Sequence, residues 1–411
     1  MTGRISPRYA LRSLRRYPRR AVLSMLGAGV GCAIALFSAS WIRGGAEMQI
    51  RAASESGAGH IRVVPEGWTE TRDNALRLYG WKEALETVNA FPGVRTAAPR
   101  ARAKGLLAFG NRSAGVEIVG VQPDVEARSN RVVHKSSLEG RYLEPGDSGK
   151  VVIGAQLARR LRVDVDDDLY VTLVGGDEMK SAMLNIVGTL DTGSEDLDTT
   201  ICHVTLDDLI NITGYDGAGE IAIMLEHYKL IEPSREALAA KLGGGRDVIT
   251  WKEVTPEIAA NVEGDTAFTT ILVGIIVLVV SLGIAAAQIT AVLERRHEFA
   301  VLSALGMKGR QLVGLIMLEA VAVGLGGAVV ALALGGFSAY RLATGGIDLA
   351  KHMGGELAFG SVLLDPVIYG DFGPWIVWYA LGISLASTVA ASIYPAWYAT
   401  RTDPATALRK V

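Results

Sequence analysis

Residues Thr266–Leu293 read TAFTTILVGIIVLVVSLGIAAAQITAVL, and the chain passes directly into ERRHEFAVLSALGMKGR over residues 294–310. The first run carries no charge. It exceeds the ~20 residues needed to cross ~30 Å of hydrocarbon at 1.5 Å per residue. A buried helix of a soluble enzyme is the weaker reading, because such helices rarely run so far without a charge. Backbone groups in lipid must bond within their own segment, which makes this a helix. Three further stretches qualify. Ala21–Ile42 and Pro374–Trp397 are uncharged, and Leu312–Tyr340 holds one acid, Glu319. Thr266–Leu293 would extend ~42 Å, more than the bilayer requires. It is expected to project outward as a stalk, with Ala46–Ser56 as its partner.

The charges are segregated in the same way. The chain has 411 residues, 49% hydrophobic and 20% charged, with a net charge of −2. Residues 1–20 hold seven arginines and no acid. Together with 294–310 and the tail after 397, they make 14 bases against 3 acids, whereas residues 43–265 hold 25 bases and 35 acids. The positive-inside rule then places both termini and the 294–310 loop in the cytoplasm. The acidic block lies outside the membrane, which is the periplasm if the cell is Gram-negative. The near-neutral total is a cancellation across a membrane, and it argues against a nucleic-acid partner. A cleaved signal peptide is the weaker reading of Ala21–Ile42, which is long for one and has three more spans after it. Gly29-Val30-Gly31-Cys32 lacks the leucine of a lipobox, so Cys32 reads as a packing residue. Cys32 in the membrane and Cys202 outside it cannot pair. Two cysteines exclude a disulfide scaffold and a four-cysteine zinc site.

The expected order follows. Residues 1–20 form a cytoplasmic amphipathic helix, capped by Ser6-Pro7, that lies on the inner membrane surface. The first membrane helix is 21–42, and 43–265 is a large α+β domain inserted after it. The second helix with its stalk is 266–293, followed by the cytoplasmic segment 294–310. The third helix is 312–340, a second outer loop 341–373, the fourth helix 374–397 and a cytoplasmic tail 398–411. Within the inserted domain, strands are expected at Ile61–Val64, Val116–Val121, Val151–Ile153, Leu169–Val174, Met183–Leu190, Ile201–Thr205 and Glu220–Leu225. Helices are expected at Trp81–Phe91, Gln156–Leu161, Leu206–Ile212 and Ser234–Leu242.

Catalytic signatures are missing. Gly146-Asp147-Ser148-Gly149-Lys150 imitates a phosphate loop, but Glu144 stands where the first glycine should be and a strand follows, so it reads as a turn. No His-Glu-x-x-His or Gly-x-Ser-x-Gly occurs, and the six histidines show no metal spacing. The acids Asp164, Asp166, Asp167 and Asp168 lack the calcium-loop glycine and distal glutamate, so they read as a solvated turn. Glu319 is the one ionisable group inside a membrane helix. Such groups are costly and often functional. A structural ion pair with Arg295 or Arg296 is the stronger reading, and a transport role the weaker.

The run Glu294-Arg295-Arg296-His297-Glu298-Phe299-Ala300-Val301-Leu302-Ser303-Ala304-Leu305-Gly306-Met307-Lys308 resembles a signature of the FtsX-like and MacB-like ABC transporter permeases. Tyr394-Pro395-Ala396 through Pro404-Ala405-Thr406-Ala407-Leu408-Arg409 resembles the closing motif of that family. Phe91-Pro92-Gly93-Val94, Ala98-Pro99-Arg100, Glu139-Gly140-Arg141-Tyr142-Leu143 and Val152-Ile153-Gly154 match in order. The resemblance therefore covers essentially the whole chain. It implies a mechanotransmission-type permease subunit with four membrane helices and one large extracytoplasmic domain between helices one and two. The chain itself is then non-catalytic and binds no cofactor. ATP and magnesium sit on a separate cytoplasmic ATPase. Four helices are too few for a pore, so a second permease subunit, identical or not, is implied.

The resemblance makes 294–310 the coupling helix, with Arg295, Arg296, Glu298, Leu302, Leu305, Gly306, Met307 and Lys308 engaging the ATPase, and Phe299, Leu302 and Leu305 on one side. Gly188-Thr189-Leu190-Asp191-Thr192-Gly193 with Asp196-Leu197-Asp198 resembles the lipoprotein-releasing (LolC/LolE-type) transmembrane subunits. Extraction of lipoproteins is then the leading reading, with a periplasmic carrier as partner. The turn Gly175–Lys180 is short where C-type subunits carry a long hook, which departs from carrier recruitment by a hook. Lipid tails would enter a cavity lined by Val30, Ile34, Phe37, Phe268, Ile271 and Leu272, a lining assigned from depth alone. The alternatives are an FtsX-like signal transmitter to a periplasmic partner and a MacB-like efflux permease.

Overall fold

The computed structural model describes residues 18–175, 178–304, 306–348, 351, 358–359 and 362–400. Residues 1–17 of the expected 1–20 helix, Leu305, residues 176–177 of the turn at 175–180 and the tail from Arg401 lie outside the described residues, while 18–20 open the first membrane helix. The chain divides into two compact units. One is the membrane unit, built from residues up to 46, 264–347 and 368 onward. The other is the inserted domain, residues 47–263 with 348–367. The segment 348–367, expected as part of a second outer loop, thus belongs to the inserted domain. Asp365 accepts hydrogen bonds there from both terminal nitrogens of Arg131 and, at 3.0 Å, from Lys135 Nζ.

Four helices are long and apolar enough to cross a membrane. Each outruns its apolar stretch. The first is Pro18–Ala53, followed by a π-turn over Ser54–Ala58. The second is Pro256–Glu294, beginning at Pro256 rather than Thr266. Proline suits the first turn, where its missing N–H would have no partner anyway. The third, Gly309–Ala331, continues through a π-turn at Leu332–Gly336 into Phe337–Gly345. The fourth is Trp375–Thr400, with Pro395 inside it.

Small residues set the helix contacts of the membrane unit, as expected where lipid removes any hydrophobic drive between helices. Ser384 Oγ donates to the Gly324 carbonyl at 2.8 Å, joining helices three and four. A Cβ on Gly335 would stand 2.8 Å from Ala33 Cα, and one on Gly29 would stand 2.9 Å from the Gly327 carbonyl oxygen. Helices one and three therefore meet backbone to backbone. The second helix is different: only 6% of its apolar window is buried.

The inserted domain is a ten-stranded sheet. Its strands are β1 (Ile61–Pro65), β2 (Val94–Phe109), β3 (Arg112–Val121), β4 (Ser137–Gly140), β5 (Lys150–Gly154), β6 (Asp168–Gly175), β7 (Glu178–Asp191), β8 (Cys202–Thr205), β9 (Glu220–Leu225) and β10 (Arg246–Thr250). β2 is the spine. Its first half pairs β9 and its second half pairs β6, while β3 runs along the other edge. The pairings β2–β3–β8–β5–β7–β6–β2 close a ring. Leu107, Ile118, Ile153, Val171, Leu184 and Val204 belong to one buried cluster there. The order β10–β1–β9–β2 forms a second layer, covered by helices Trp81–Asn89 and Ile231–Leu242. Strands β2, β4 and β10 were not expected from the sequence. β2 carries Pro99, several alanines and Arg95, Arg100, Arg102 and Lys104, which hide its strand character.

Gly29→Leu is expected to destabilise the membrane unit by about 2 kcal/mol, because the stiff, β-branched Val330 side chain and the Gly327 carbonyl oxygen leave no room for the new group. Gly27→Ala, where a Cβ meets nothing within 4 Å, is the matched control. Thermal unfolding of the detergent-solubilised chain should separate the two.

Candidate coupling face and inserted-domain site

The segment after the second membrane helix is a short helix, Arg296–Ala304. It ends in a cap with a clear geometry. Met307 N donates to the Leu302 carbonyl and Gly306 N to the Ser303 carbonyl, both at 3.0 Å. This is a Schellman cap, with Gly306 in the left-handed position at φ +92°. The glycine in the motif is there for its backbone. Lys308 then opens the third membrane helix, its N–H donating to Gln311 Oε1 at 2.9 Å.

The faces of this segment separate cleanly. Phe299 and Ala300 are buried, and Leu302 packs beside them against Val292, Leu312, Ile316, Ala396 and Ala399. Arg296, His297, Val301, Ala304 and Lys308 are exposed, Glu298 and Met307 half-buried. Arg295 is absent from the exposed face. Its Nη1 donates to Glu319 Oε1 at 2.9 Å and Oε2 at 3.2 Å, and its Nε to Glu298 Oε2 at 3.3 Å. Its guanidinium also lies 5.1 Å from the centre of the Phe299 ring. Glu319 thus has its cation, and the pair ties the start of this short helix to the third membrane helix. Among the residues assigned to a lipid-facing cavity, Val30, Ile34, Phe268, Ile271 and Leu272 are exposed and Phe37 is half-buried.

In the inserted domain, the first long helix ends at a carbonyl gripped by two arginines. The π-turn at Ser54–Ala58 places Gly57 at φ +112°. Its carbonyl accepts from Arg62 Nη2 at 2.9 Å and from Arg100 Nη1. Arg62 Nη1 also donates to Glu220 Oε2 at 2.7 Å, and Arg100 Nε to Glu126 Oε2 at 2.9 Å. Arg102 bridges Glu220 Oε1 at 3.2 Å and Glu117 Oε2 at 2.8 Å. Burial raises the carboxyl of Glu126, yet Arg100 and the hydrogen bonds outweigh it and hold it below the ordinary carboxylate range. Glu220 is held low in the same way, by Arg102 and Arg62. Two buried histidines flank this lattice. Burial lowers His60 and His203 to about 4 each, aided at His60 by Arg95. Tyr142 Oη lies 2.9 Å from His203 Nδ1.

The sequence motifs of this domain turn out to be joints. Asp198 accepts from Thr192 N at 3.0 Å and Thr192 Oγ1 at 2.7 Å, closing the Gly188–Asp198 loop. Gly140 takes φ +79° beside the Val187 carbonyl. Gly146–Lys150 is a turn and opening strand, with Asp208 accepting from Ser148 Oγ at 3.0 Å and Gly149 N at 2.9 Å. Asp164–Asp168 is a turn before β6, and no metal-holding group of acids, histidines or cysteines occurs among the described residues. Cys32 and Cys202 are buried and unpaired.

The model of the MacB-like periplasmic core domain matches residues 21–241, and that of the FtsX-like permease C-terminal region matches 270–404. The chain belongs to the FtsX/MacB-like family of ABC transporter permeases. Membership implies an ATPase partner and a permease dimer, and relatives of this kind are membrane subunits that are generally non-catalytic. The permease is 23% identical over 429 residues to the lipoprotein-releasing system transmembrane protein LolC of Xylella fastidiosa, covering 100% of both chains. It is 23% identical over 429 residues to the macrolide export ATP-binding/permease protein MacB 2 of Aeromonas hydrophila, covering 99% of this chain and 61% of that one. The crystal structure of the periplasmic region of MacB from Actinobacillus actinomycetemcomitans aligns at 13% identity with a TM-score of 0.35, over 48% of this chain and 92% of that one.

Two outcomes follow. Glu319→Gln leaves Arg295 buried with only half its compensation and should cost about 3 kcal/mol, whereas Arg295→Met with Glu319→Leu should recover most of it. Differential scanning fluorimetry of the three proteins reads this directly. The histidines set a pH dependence. With folded values near 4 against 6.5 when unfolded, they protonate on unfolding, so stability falls as pH drops from 6.5 toward 4. Acidification from pH 7.5 to 5 should cost about 2 kcal/mol per histidine. His203→Gln or His60→Gln should each remove one histidine's share, about half of the combined loss of about 4 kcal/mol.

Proposed function

We propose that this permease extracts lipoproteins from the inner membrane as the transmembrane subunit of an ABC complex. ATP and magnesium belong to a separate cytoplasmic ATPase, and both termini lie on its side. The carrying observation is the alignment with the lipoprotein-releasing relative, which runs end to end in both chains at 23% identity. The match to the macrolide exporter spans 61% of that protein.

The physics of the membrane unit supports this reading. The second helix offers Phe268, Ile271 and Leu272 on a face that its own chain leaves open, and the first helix offers Val30 and Ile34. A second permease subunit facing these residues, together with Phe37, encloses an apolar space suited to acyl chains. Lipid tails lose no hydrogen bonds on entering it, and the head of the cargo stays at the interface. Arg296, Glu298 and Lys308, with Met307 beside them, form the coupling face for the ATPase. Gly306 shapes that face through its cap, and Leu302 anchors it from beneath. Leu305 completes the motif. A periplasmic lipoprotein carrier is the receiving partner.

Reconstitution with the ATPase tests the cargo. Diacyl or triacyl lipoprotein should stimulate ATP hydrolysis and co-purify with the complex. Stimulation by a macrolide instead, or a bound cell-wall hydrolase with no lipoprotein effect, would overturn the proposal. The coupling face has its own check. Arg296→Glu and Lys308→Glu should each weaken capture of the ATPase about tenfold, or about 1.4 kcal/mol. Gly306→Ala should weaken it through loss of the cap while membrane insertion stays intact.

A further inference from the structure

The open face of β2 and β3 borders a cavity of about 620 Å³ inside the inserted domain. That volume is in the range of small-molecule sites. Residues that share a face of a strand alternate, so Arg100, Arg102 and Lys104 of β2 stand together, across from Glu117 and Val119 of β3. All of these line the cavity, with Glu126, Asn130 and His203. The remaining wall mixes apolar Val116, Val132, Leu197 and Ile201 with Ser56, Thr199 and Thr200, whose hydroxyls already hydrogen-bond within the domain.

The hydrogen-bond account of this wall is unbalanced toward donors. Both oxygens of Glu117 already accept, from Asn74 at 2.8 Å and Arg102 at 2.8 Å. Both oxygens of Glu126 accept, from Asn130 at 2.6 Å and Arg100 at 2.9 Å. Glu220, behind the wall, accepts from Arg62 and Arg102. On the donor side, no hydrogen bond to a described residue involves Arg100 Nη2, Arg102 Nη2, Lys104 Nζ or His203 Nε2. Lys104 lies opposite Glu117 in register but makes no ion pair with it. His203 is more than nine-tenths buried, and in the tautomer in which Tyr142 Oη donates to its Nδ1 the ring proton sits on Nε2, which is then a donor. Lining charges are three cations against two carboxylates.

We propose that this cavity binds a small organic anion, one carboxylate or phosphate on an apolar body, through Arg102, Lys104 and His203. The anion supplies the acceptors that the wall lacks, and its body fills the open space beside Gly115, next to apolar side chains. Charge-assisted hydrogen bonds from a guanidinium and an ammonium are stronger than neutral ones, so the charged end dominates recognition. The site lies in a different part of the molecule from any lipid-facing cavity, and the inference stands whatever the cargo.

The test uses the full-length chain in detergent and three fluorinated probes followed by ¹⁹F line broadening. These are 4-(trifluoromethyl)benzoate, 4-(trifluoromethyl)phenyl phosphate and the uncharged 4-(trifluoromethyl)benzyl alcohol. At least one anion should bind saturably and the alcohol at least tenfold more weakly. Which anion binds tells a carboxylate source from a phosphate source. Two variants localise the site. Lys104→Glu reverses an exposed, unpaired charge. Gly115→Phe projects into the cavity from a position where a Cβ meets nothing within 4 Å. Each should weaken anion binding at least tenfold with an unchanged melting temperature. Equal binding of the alcohol, no saturable binding of either anion, or unchanged affinity in either folded variant would overturn the proposal.

Discussion

The inserted domain depends on how charge is neutralised along one strand. β2 alternates alanine with arginine and lysine over Ala101, Arg102, Ala103 and Lys104, so one face enters the core while the other carries cations. Cations that leave water must be paired and hydrogen-bonded. Arg100 and Arg62 are almost wholly buried, and each finds a carboxylate at 2.9 Å or less. These partners come from distant parts of the chain: Glu126 from the helix after β3, Glu220 from β9. The lattice therefore fixes which elements surround β2. Buried pairs of this kind contribute little net stability against apolar replacements, and their value here lies in specifying one arrangement. The Gly57 carbonyl belongs to the same lattice, which gives the end of the first long helix a single register within the domain.

The membrane unit solves its packing without charge, apart from one pair. Glycine, alanine and serine let the first, third and fourth helices approach closely, while the second stays largely uncovered within the chain. Arg295 and Glu319 are the exception, and their position explains their cost. They join the start of the Arg296–Ala304 helix to the third membrane helix. The Gly306 cap then turns the chain sharply back.

Much of this was legible in the residues. The four apolar runs gave four helices, since nothing else satisfies a backbone in lipid. Seven of the ten strands of the domain were visible as β-branched runs. β2 was not, because its alternation is of charge against alanine rather than of valine against a polar residue, and Pro99 interrupts it. The signal was present in the period of two at Arg100, Arg102 and Lys104. The place of residues 348–367 was hidden for another reason: the contact of Asp365 with Arg131 spans 234 positions, and no local pattern records it. Of the candidate coupling residues, Arg296 and Glu298 were readable as charges on a short helix and Lys308 as a charge just beyond it. That Arg295 points inward was an open alternative, settled by the approach of the third helix.

What the sequence determined by itself is the set of constraints that are local or set by the solvent. Helix length follows from hydrocarbon thickness, cap position from glycine, and family from ordered motifs. The tertiary structure alone decided which buried charges meet. It showed that the family motifs at Gly140, Thr192 and Asp198 are joints rather than chemistry. It also left a donor-rich cavity along the cation-bearing face of β2 and β3. Pairing energies depend on distances between residues far apart in the chain, and only the folded backbone brings those distances into range.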